Sequence, residues 1–435
     1  MLLTPAQIQN SFLRLGTDRK WSFYNVGRSE TNAFTHGYHR YPAKFIPHIV
    51  REFITRYTSR GDLICDPFGG CGTTLVEAKI LGRHSIGFDI NPIAKLITQT
   101  KITPIKPKIL DNYRKKFLKK YNSASHIKFT HHPKINYWFD EETLHELDKI
   151  YFAIKQVKNY KVRRFFLCAF SHILKNCSRW LMKSIKPTID SDKIIPESLD
   201  VFLKHFNFMA RKNERFYTKL IQNKNLKTPV KMYRRDSTKK LPLEPNSVDL
   251  IITSPPYVTS YEYADLHQLS LLWFGDDPNH FKKWHKFSHQ FNDFRKKFIG
   301  TTYKKEKNGN FNSIIAQRVV SKLSGIDISS AINVANYFLD MQKAFVEMYR
   351  ILKSNGKACI VIGNTNLRGV EILNAQVATE QMSNIGFQKV KFIKREVLNK
   401  MITPWRDSKN GKFTSLNNPF KKRVYEFEYI VVMRK

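Results

Sequence analysis

Apolar residues near the start of the chain alternate between two kinds of spacing. Residues 47–57 and 73–81 carry them at helical intervals, whereas 62–65 and 84–88 are short apolar runs typical of buried strands. A glycine-rich turn follows the first run, and Gly82 ends the second helical stretch. Strand, glycine turn, helix and strand in that order predict the beginning of an α/β sheet.

Two long segments interrupt this alternation of predicted strands and helices. Residues 101–227 begin with lysines and prolines, and between 140 and 224 they show the spacing of amphipathic helices. Residues 276–328 are polar, basic and aromatic, with weak periodicity. Outside these segments the pattern predicts a long helix, ended by Gly356, and further strands. The helix covers 331–352, and the strands cover 230–233, 248–252, 357–362 and 424–433.

The pattern therefore predicts one discontinuous α/β domain with insertions. Residues 36–100 and 228–435 would form a mainly parallel, twisted sheet with helices on both faces. Residues 101–227 would form a helical insertion, and 276–328 a second, basic insertion. Residues 1–40, which are polar and mixed, would form an arm or a lid.

The charge of the chain indicates a polyanionic partner. Its 435 residues contain 74 Lys and Arg against 36 Asp and Glu, a net charge of +38. Nucleic acid is the commonest partner for such a positive field. An A/T-rich genome that favours lysine codons, or an anionic membrane surface, would also explain the excess. With 42% apolar residues, the chain has enough material for a large core.

Cysteine usage and hydropathy indicate the compartment. The five cysteines are scattered and never spaced as C-x-x-C, so we expect neither disulfides nor a metal site. No apolar run approaches the ~20 residues of a membrane span, and the N-terminus lacks the pattern of a signal peptide. We expect a cytoplasmic, nucleoid-associated protein with no membrane partner.

The first candidate site is Asp66-Pro-Phe-Gly-Gly-Cys-Gly-Thr-Thr74, between the first predicted strand and its helix. Glycines let a ligand approach the backbone, and the helix N-terminus offers N–H groups. Asp89, at the end of the next strand, is placed to bind ribose hydroxyls. Alternatively, Asp89 caps the helix that begins at Asn91-Pro92. The surrounding elements favour a nucleotide-type cofactor.

The second candidate site, Thr253-Ser-Pro-Pro-Tyr257, also follows a predicted strand. Two prolines remove two N–H donors, so the turn presents carbonyl oxygens beside the Ser254 hydroxyl and the flat Tyr257 ring. Acceptors next to an aromatic face suit a planar ring that bears an amino group. A plain strand-ending turn with a core tyrosine is the structural alternative.

Together, D-P-F-x-G-x-G-T-T and T-S-P-P-Y resemble the amino-group DNA methyltransferases, which modify cytosine N4 or adenine N6. The matches cover 36–100 and 228–435 and leave out the helical insertion. Arg235 stands where the family's third cofactor motif usually has glycine. The further segments similar to this family are 41–45 (Y-P-A-K-F), 89–92 (D-I-N-P), 235–237 (R-D-S) and 349–356 (Y-R-I-L-K-S-N-G).

The resemblance implies a Rossmann-like class I methyltransferase fold with S-adenosylmethionine as the cofactor. Lys44 would meet the cofactor carboxylate or lie on a basic surface. The implied catalytic residues are Ser254, Pro255, Pro256 and Tyr257. The implied cofactor-binding residues are Tyr41, Pro42, Lys44, Asp66, Pro67, Phe68, Gly70, Gly72, Thr73, Thr74, Asp89, Asn91 and Asp236.

The implied reaction is methyl transfer to an exocyclic amino group of a base. Ser254 and the Pro255 carbonyl would accept the amino hydrogens and localise the nitrogen lone pair, while Tyr257 stacks on a base flipped from the duplex. Serine in the first position of the motif is the family's usual mark of cytosine N4. We therefore expect cytosine N4 as the target, with adenine N6 as the alternative.

The resemblance also implies partners. These are double-stranded DNA and, in a restriction-modification system, a cognate restriction endonuclease. DNA contacts are expected from the basic segments 101–128 and 281–305, with the helical insertion a candidate for target recognition. His267 is expected to be structural. An RNA base methyltransferase and a catalytically inactive nucleic-acid-binding subunit are the rival hypotheses, although both motifs are intact.

Overall fold

The computed structural model describes most of the chain. The described residues are 3–42, 44–125, 127–258, 262–275, 291–306, 309–397, 405–407, 414–423 and 426–435. Their strands are β1 (Leu63–Asp66), β2 (His84–Asp89), β3 (Val230–Arg234), β4 (Val248–Thr253), β5 (Leu352–Ile362), β6 (Thr365–Leu367), β7 (Val370–Ile372), β8 (Gln388–Glu396), β9 (Trp405–Asp407), β10 (Lys421–Arg423) and β11 (Phe427–Arg434).

Seven of these strands form one sheet in the order β3-β2-β1-β4-β5-β11-β8. The first five are parallel, and β11 lies antiparallel between β5 and β8. Strands β1 and β4, far apart in sequence, are direct neighbours, so their carboxyl ends lie at the same edge of the sheet. The predicted mainly parallel, Rossmann-like α/β sheet is confirmed.

Helices cover both faces of the sheet. Leu250 of β4 packs in one apolar cluster with Phe53, while its neighbour Ile251 packs in another with Phe345. Successive residues of a strand point to opposite faces, so both faces of β4 are buried. The helices are α1 (Pro5–Leu13), α2 (Arg19–Ser22), α3 (Arg28–Thr31), α4 (Pro47–Tyr57), α5 (Thr73–Ile80), α6 (Pro92–Lys101), α7 (Pro107–Asn122), α8 (Pro133–Trp138), α9 (Glu141–Lys155), α10 (Tyr160–Cys177), α11 (Ser198–Gln222), α12 (Gln268–Gly275), α13 (Phe291–Arg295), α14 (Ile314–Ser324), α15 (Ile328–Ile351) and α16 (Asn374–Ile385).

The helical insertion shares its core with the sheet domain. Helix α10 packs on α6, which follows β2 in the sheet domain. In return, α12, which follows the second candidate site, enters the core of the insertion. Its Trp273 is 2% exposed, with ring centroids 4.5 Å from His131 and 5.2 Å from Phe170. The insertion is therefore packed against the segment that follows the second site.

The N-terminal segment is packed on the sheet domain, so the prediction of an arm or lid for 1–40 was wrong. Thr4 caps α1, and Ile8 and Phe12 are buried. The Phe12 ring centroid lies 4.8 Å from that of Phe392 on β8. Two buried residues in a short helix give too weak a periodicity to be detected against a polar background.

The prediction that Gly356 ends the long helix was also wrong. Helix α15 ends at Ile351, and β5 begins at the next residue and runs through Gly356. The Gly356 carbonyl accepts a hydrogen bond from the Lys435 backbone N–H, 3.1 Å away. Pairing with the chain terminus therefore extends the strand back to the helix.

The predicted basic insertion contains a structural helix. Ile315, Val319 and Leu323 of α14 are buried in the same apolar cluster as α15. Residues 276–290, which include the first part of the basic run 281–305, lie outside the described residues. Among the described residues, no helix is long and apolar enough to cross a membrane.

Truncating Phe12 tests whether the N-terminal helix belongs to the core. Phe12→Ala should lower the free energy of unfolding by about 3–5 kcal/mol, since it removes a buried ring. The neighbouring Leu13 is 82% exposed, so Leu13→Ala should change it by about 0.5 kcal/mol or less. Urea denaturation measures both. Equal effects of the two changes would contradict the packing described here.

Candidate active site

One hydrogen bond joins the two candidate loops. The Asp66 carboxylate, at the end of β1, accepts from the Thr253 hydroxyl at the end of β4, 2.7 Å away. The same Oδ1 accepts from the Phe68 backbone N–H at 3.1 Å. Ser254 follows Thr253 directly. The first candidate site (66–74, the glycine loop) and the second (253–257, the proline loop) therefore begin side by side.

Asp66 is held in an almost dry environment. It is 3% exposed, and burial raises the pKa of its carboxyl to about 6, against the opposing effect of hydrogen bonds from Thr253 and Phe68. Burial of a carboxylate disfavours its charged form. Asp66 therefore supports both loops at an electrostatic cost.

The glycine loop is fixed by α6 and by Tyr41. Gly70 has φ +46°, and a Cβ atom there would lie 3.3 Å from the Tyr41 hydroxyl. The Thr98 hydroxyl donates to the Gly70 carbonyl at 2.8 Å, and the buried Lys101 ammonium donates to the Cys71 carbonyl at 2.9 Å. Thr98 and Lys101 were missed by the sequence analysis, because they occupy ordinary helix positions outside any motif.

Asp89 lies across the glycine loop from β2. Its carboxylate accepts from the Gly70 N–H at 3.1 Å and from the Asn91 N–H at 2.7 Å. Burial is the main reason that its pKa is raised to about 6. Asn91, and not Asp89, caps α6, since its side chain accepts from the Ile93 N–H at 2.9 Å. Each Asp89 oxygen retains a second lone pair for a further donor.

His267 lies next to Asn91 and Tyr41. The Asn91 side chain donates to its Nδ1 at 3.2 Å, and the Tyr41 ring centroid lies 5.3 Å from the imidazole. The imidazole is buried, which lowers its pKa to about 4, so the ring is neutral near pH 7. His267 therefore connects the segment after the second loop to two predicted cofactor residues.

Two other predicted cofactor residues are engaged within their own segments. The Lys44 ammonium donates to the Asn32 side chain at 2.6 Å and to the Thr31 carbonyl at 3.1 Å. Burial lowers its pKa to about 8. Asp236 accepts from the Thr238 N–H at 2.9 Å, whereas the adjacent Ser237 hydroxyl donates to the Pro67 carbonyl. Ser237 thus joins the third motif to the glycine loop.

The proline loop is held from β11. Ser254, Pro256 and Tyr257 are half-buried, and Pro255 is buried. The Tyr257 hydroxyl donates to Oε1 of Glu428 at 3.1 Å. Gly363 leaves room for the ring, since a Cβ atom there would lie 3.2 Å from Tyr257 Cε2.

A second segment packs over the proline loop. A Cβ atom on Gly300 would lie 3.5 Å from the Tyr257 carbonyl oxygen. Glu262 accepts from the Thr301 hydroxyl at 2.9 Å, and Arg295 is paired with Asp265. Residues 259–261, which follow the proline loop, lie outside the described residues.

Known proteins similar to this chain are DNA methyltransferases. A family model for N6 and N4 methyltransferases, described as DNA methylase, matches residues 12–100. The Type II methyltransferase M.MvaI of Kocuria varians is 26% identical over 90% of this chain and 89% of its own length. The Type II methyltransferase M.BsoBI of Geobacillus stearothermophilus is 23% identical over 86% and 82%.

The residues at this edge of the sheet fit S-adenosylmethionine. The positive φ of Gly70 brings bare backbone to the carboxyl edge of the sheet. Asp89 offers unused lone pairs, and of the Asp236 oxygens only Oδ1 accepts the two bonds from Thr238. These acceptors suit ribose hydroxyls and an adenine amino group.

If Asp89 binds the ribose hydroxyls as a carboxylate, cofactor affinity should depend on pH. Protonation below a pKa of about 6 removes a charged acceptor, so affinity should be about tenfold weaker at pH 5 than at pH 7.5. Titration calorimetry with S-adenosylmethionine measures this. Asp89→Asn should bind S-adenosylmethionine weakly at both pH values. Asp66→Asn should still bind it less tightly at pH 5 than at pH 7.5. A flat wild-type profile would contradict this role.

Three features of the chain indicate the same protein family. The matched segment 12–100 contains the glycine loop and Asp89, the relatives match almost end to end, and the sheet places the second motif beside the first. These features support an amino-group methyltransferase family of DNA methylases for this chain, with S-adenosylmethionine as its cofactor.

Proposed function

We propose that this protein is a Type II DNA methyltransferase that methylates the exocyclic N4 amino group of cytosine in double-stranded DNA, as part of a restriction-modification system with a cognate endonuclease. The observation that carries the proposal is the Asp66–Thr253 hydrogen bond, which brings Ser254 next to the glycine loop. The relatives' printed names support the Type II assignment.

In this proposal the proline loop binds the target base. Ser254 Oγ and the Pro255 carbonyl accept the hydrogens of the base amino group, which localises the nitrogen lone pair. Tyr257 stacks on the flipped base, a step that offsets part of the few kcal/mol needed to unstack it. S-adenosylmethionine supplies an electrophilic methyl group on its sulfonium.

The choice of cytosine N4 rests on Ser254. A serine hydroxyl is a neutral, compact acceptor in the position where the resemblance would otherwise lead us to expect Asp or Asn. Adenine N6 is the alternative target, and its product would be N6-methyladenine instead of N4-methylcytosine. An inactive binding subunit is disfavoured, because the polar contacts that hold both loops are complete.

DNA contact is proposed for the described part of the second basic segment, 291–305. This segment packs over the proline loop through Gly300. Arg295 and Lys304 are each paired with a carboxylate and largely buried. Lys296 and Lys297 are exposed, and Lys296 pairs with the exposed Asp293 at 2.9 Å. The exposed lysines therefore suit phosphate contacts beside the flipped base.

The salt dependence of DNA binding tests this surface. A Lys296→Ala, Lys297→Ala double variant should weaken duplex binding and reduce the slope of log K against log salt by about 0.9 for each phosphate that is no longer neutralised. The matched control is Lys231→Ala, Lys391→Ala, in which two exposed lysines near the strand starts, at the opposite sheet edge, are removed. Fluorescence anisotropy measures both. Identical slopes for the two double variants would exclude the assigned surface.

Nucleoside mass spectrometry of DNA from cells that express the protein tests the reaction. The wild type should produce N4-methylcytosine, and N6-methyladenine instead would overturn the assigned base. Ser254→Ala should lower the single-turnover rate by about a hundredfold, since it removes a positioned acceptor, without weakening cofactor binding. A rate equal to wild type would remove Ser254 from the mechanism.

A further inference from the structure

Helix α10 of the insertion points toward the candidate active site. Near its start, the Arg164 guanidinium donates to the Thr103 hydroxyl at 2.6 Å, just beyond the end of α6. Helix α6 begins at the carboxyl edge of the sheet, just after β2, so the start of α10 lies toward the opposite edge. Near the other end of α10, the Ser171 hydroxyl is 3.1 Å from His39 Nε2 and 2.7 Å from the Ser270 hydroxyl of α12.

Both of these last contacts lead to the candidate active site. His39 is two residues before Tyr41, whose hydroxyl lies against Gly70, and α12 follows the proline loop. From Ser171 the helix continues to Cys177, about 9 Å further at about 1.5 Å per residue. The segment that follows α10 therefore leaves the helix at the carboxyl edge of the sheet, on the side of both candidate loops.

That segment contains a tight loop, residues 179–190, which we call the rim loop. The Leu181 N–H donates to the Thr188 carbonyl at 2.9 Å, which closes the loop near its tip. At the base of the loop, the Trp180 ring stacks on Trp138 of α8, with ring centroids 5.2 Å apart. Helix α8 packs in turn on α12. The rim loop is therefore anchored to elements that follow the proline loop.

Two lysines fix the shape of the rim loop from within. The Lys193 ammonium donates to the carbonyls of Ser178 at 2.5 Å and Trp180 at 3.1 Å. The Lys175 ammonium donates to the Ser184 carbonyl at 2.7 Å. A loop that is already held in one conformation loses little conformational entropy when it binds a partner.

The tip of the rim loop presents two lysines that these internal contacts do not use. Lys183 and Lys186 are exposed, and neither ammonium group forms an ion pair with a described residue. Arg179, at the base of the loop, is also exposed, and the one acidic residue of the loop is Asp190. The rim loop is therefore basic, and its exposed ammonium groups are available to phosphates.

We propose that the rim loop is a second DNA-contacting surface, in which Lys183 and Lys186 bind backbone phosphates of the duplex that carries the target base. This inference rests on the proposed methyl transfer to double-stranded DNA. One turn of duplex is about 34 Å long, so a duplex held at the proline loop extends well beyond it. Contacts at Lys296 and Lys297 alone leave that duplex free to pivot, and a second contact at the rim loop fixes its direction.

A Lys183→Ala, Lys186→Ala double variant tests the rim loop. Loss of two phosphate contacts should reduce the slope of log K against log salt by about 1.8. Raising the salt from about 50 to about 200 mM should then weaken duplex binding by the wild type about tenfold more than binding by the variant. The probe is a fluorescently labelled duplex that contains a site methylated in cells that express the protein, and anisotropy measures binding. In single-turnover assays KM for DNA should rise, with kcat and the Kd of S-adenosylmethionine unchanged.

A Lys158→Ala, Lys161→Ala double variant is the matched control. Lys158 lies just before α10 and Lys161 lies in its first turn, so both are at the far end of the helix from the rim loop, and both are exposed. This variant removes the same charge and should keep the wild-type slope and KM. Both double variants should keep the wild-type midpoint of urea denaturation, since all four side chains are exposed.

The outcomes separate this inference from the proposed function. If the wild type transfers no labelled methyl group to duplex DNA, the proposed function fails, and the inference fails with it. If the wild type is active and the rim-loop variant has the same slope as the control variant, the inference alone is overturned. A lower kcat at saturating DNA with an unchanged KM would also overturn it, because phosphate contacts away from the proline loop act on binding.

Discussion

The Asp66–Thr253 hydrogen bond is the constraint on which the site depends. It connects residues 187 positions apart in the chain and holds the two loops at a fixed separation. Hydrogen bonds to a charged group contribute about 1.5–3 kcal/mol, which here opposes the cost of burying the carboxylate. The raised pKa of Asp66 is the sign of that cost.

Around this bond, most support comes from residues outside the motifs. Thr98 and Lys101 hold the glycine loop from α6, and His267 contacts Asn91 and Tyr41. Glu428 holds the proline loop from a strand at the end of the chain. The motifs thus supply the groups that would touch ligands, while neighbouring elements supply their orientation.

Much of the fold could be predicted from the sequence, because it depends on local patterns of apolar and polar residues. The spacing of apolar residues located β1, β2, β4 and the helices α4, α5 and α15, and the order of elements implied a parallel sheet. The adjacency of β1 and β4 then brought both motifs to one edge. Gly356 and the N-terminal helix were misjudged, because their roles depend on pairing with Lys435 and on packing against Phe392.

The supporting residues could not be predicted in the same way. Glu428 lies 171 positions from Tyr257, and its ion-pair partner Arg395 meets it only through the register of two antiparallel strands. A single sequence contains no periodicity that reports such a pairing. Lys101 resembles any other lysine of a basic chain until its burial is known.

The entry of Trp273 into the helical layer limits how this enzyme can be rebuilt. Residues 101–227 do not form a cassette that can be exchanged for the equivalent segment of another protein, because part of their apolar core belongs to the stretch beyond the proline loop. A functional chimaera must carry α12 together with the insertion. Exchange of this segment therefore requires two grafts made together, one for the insertion and one for α12.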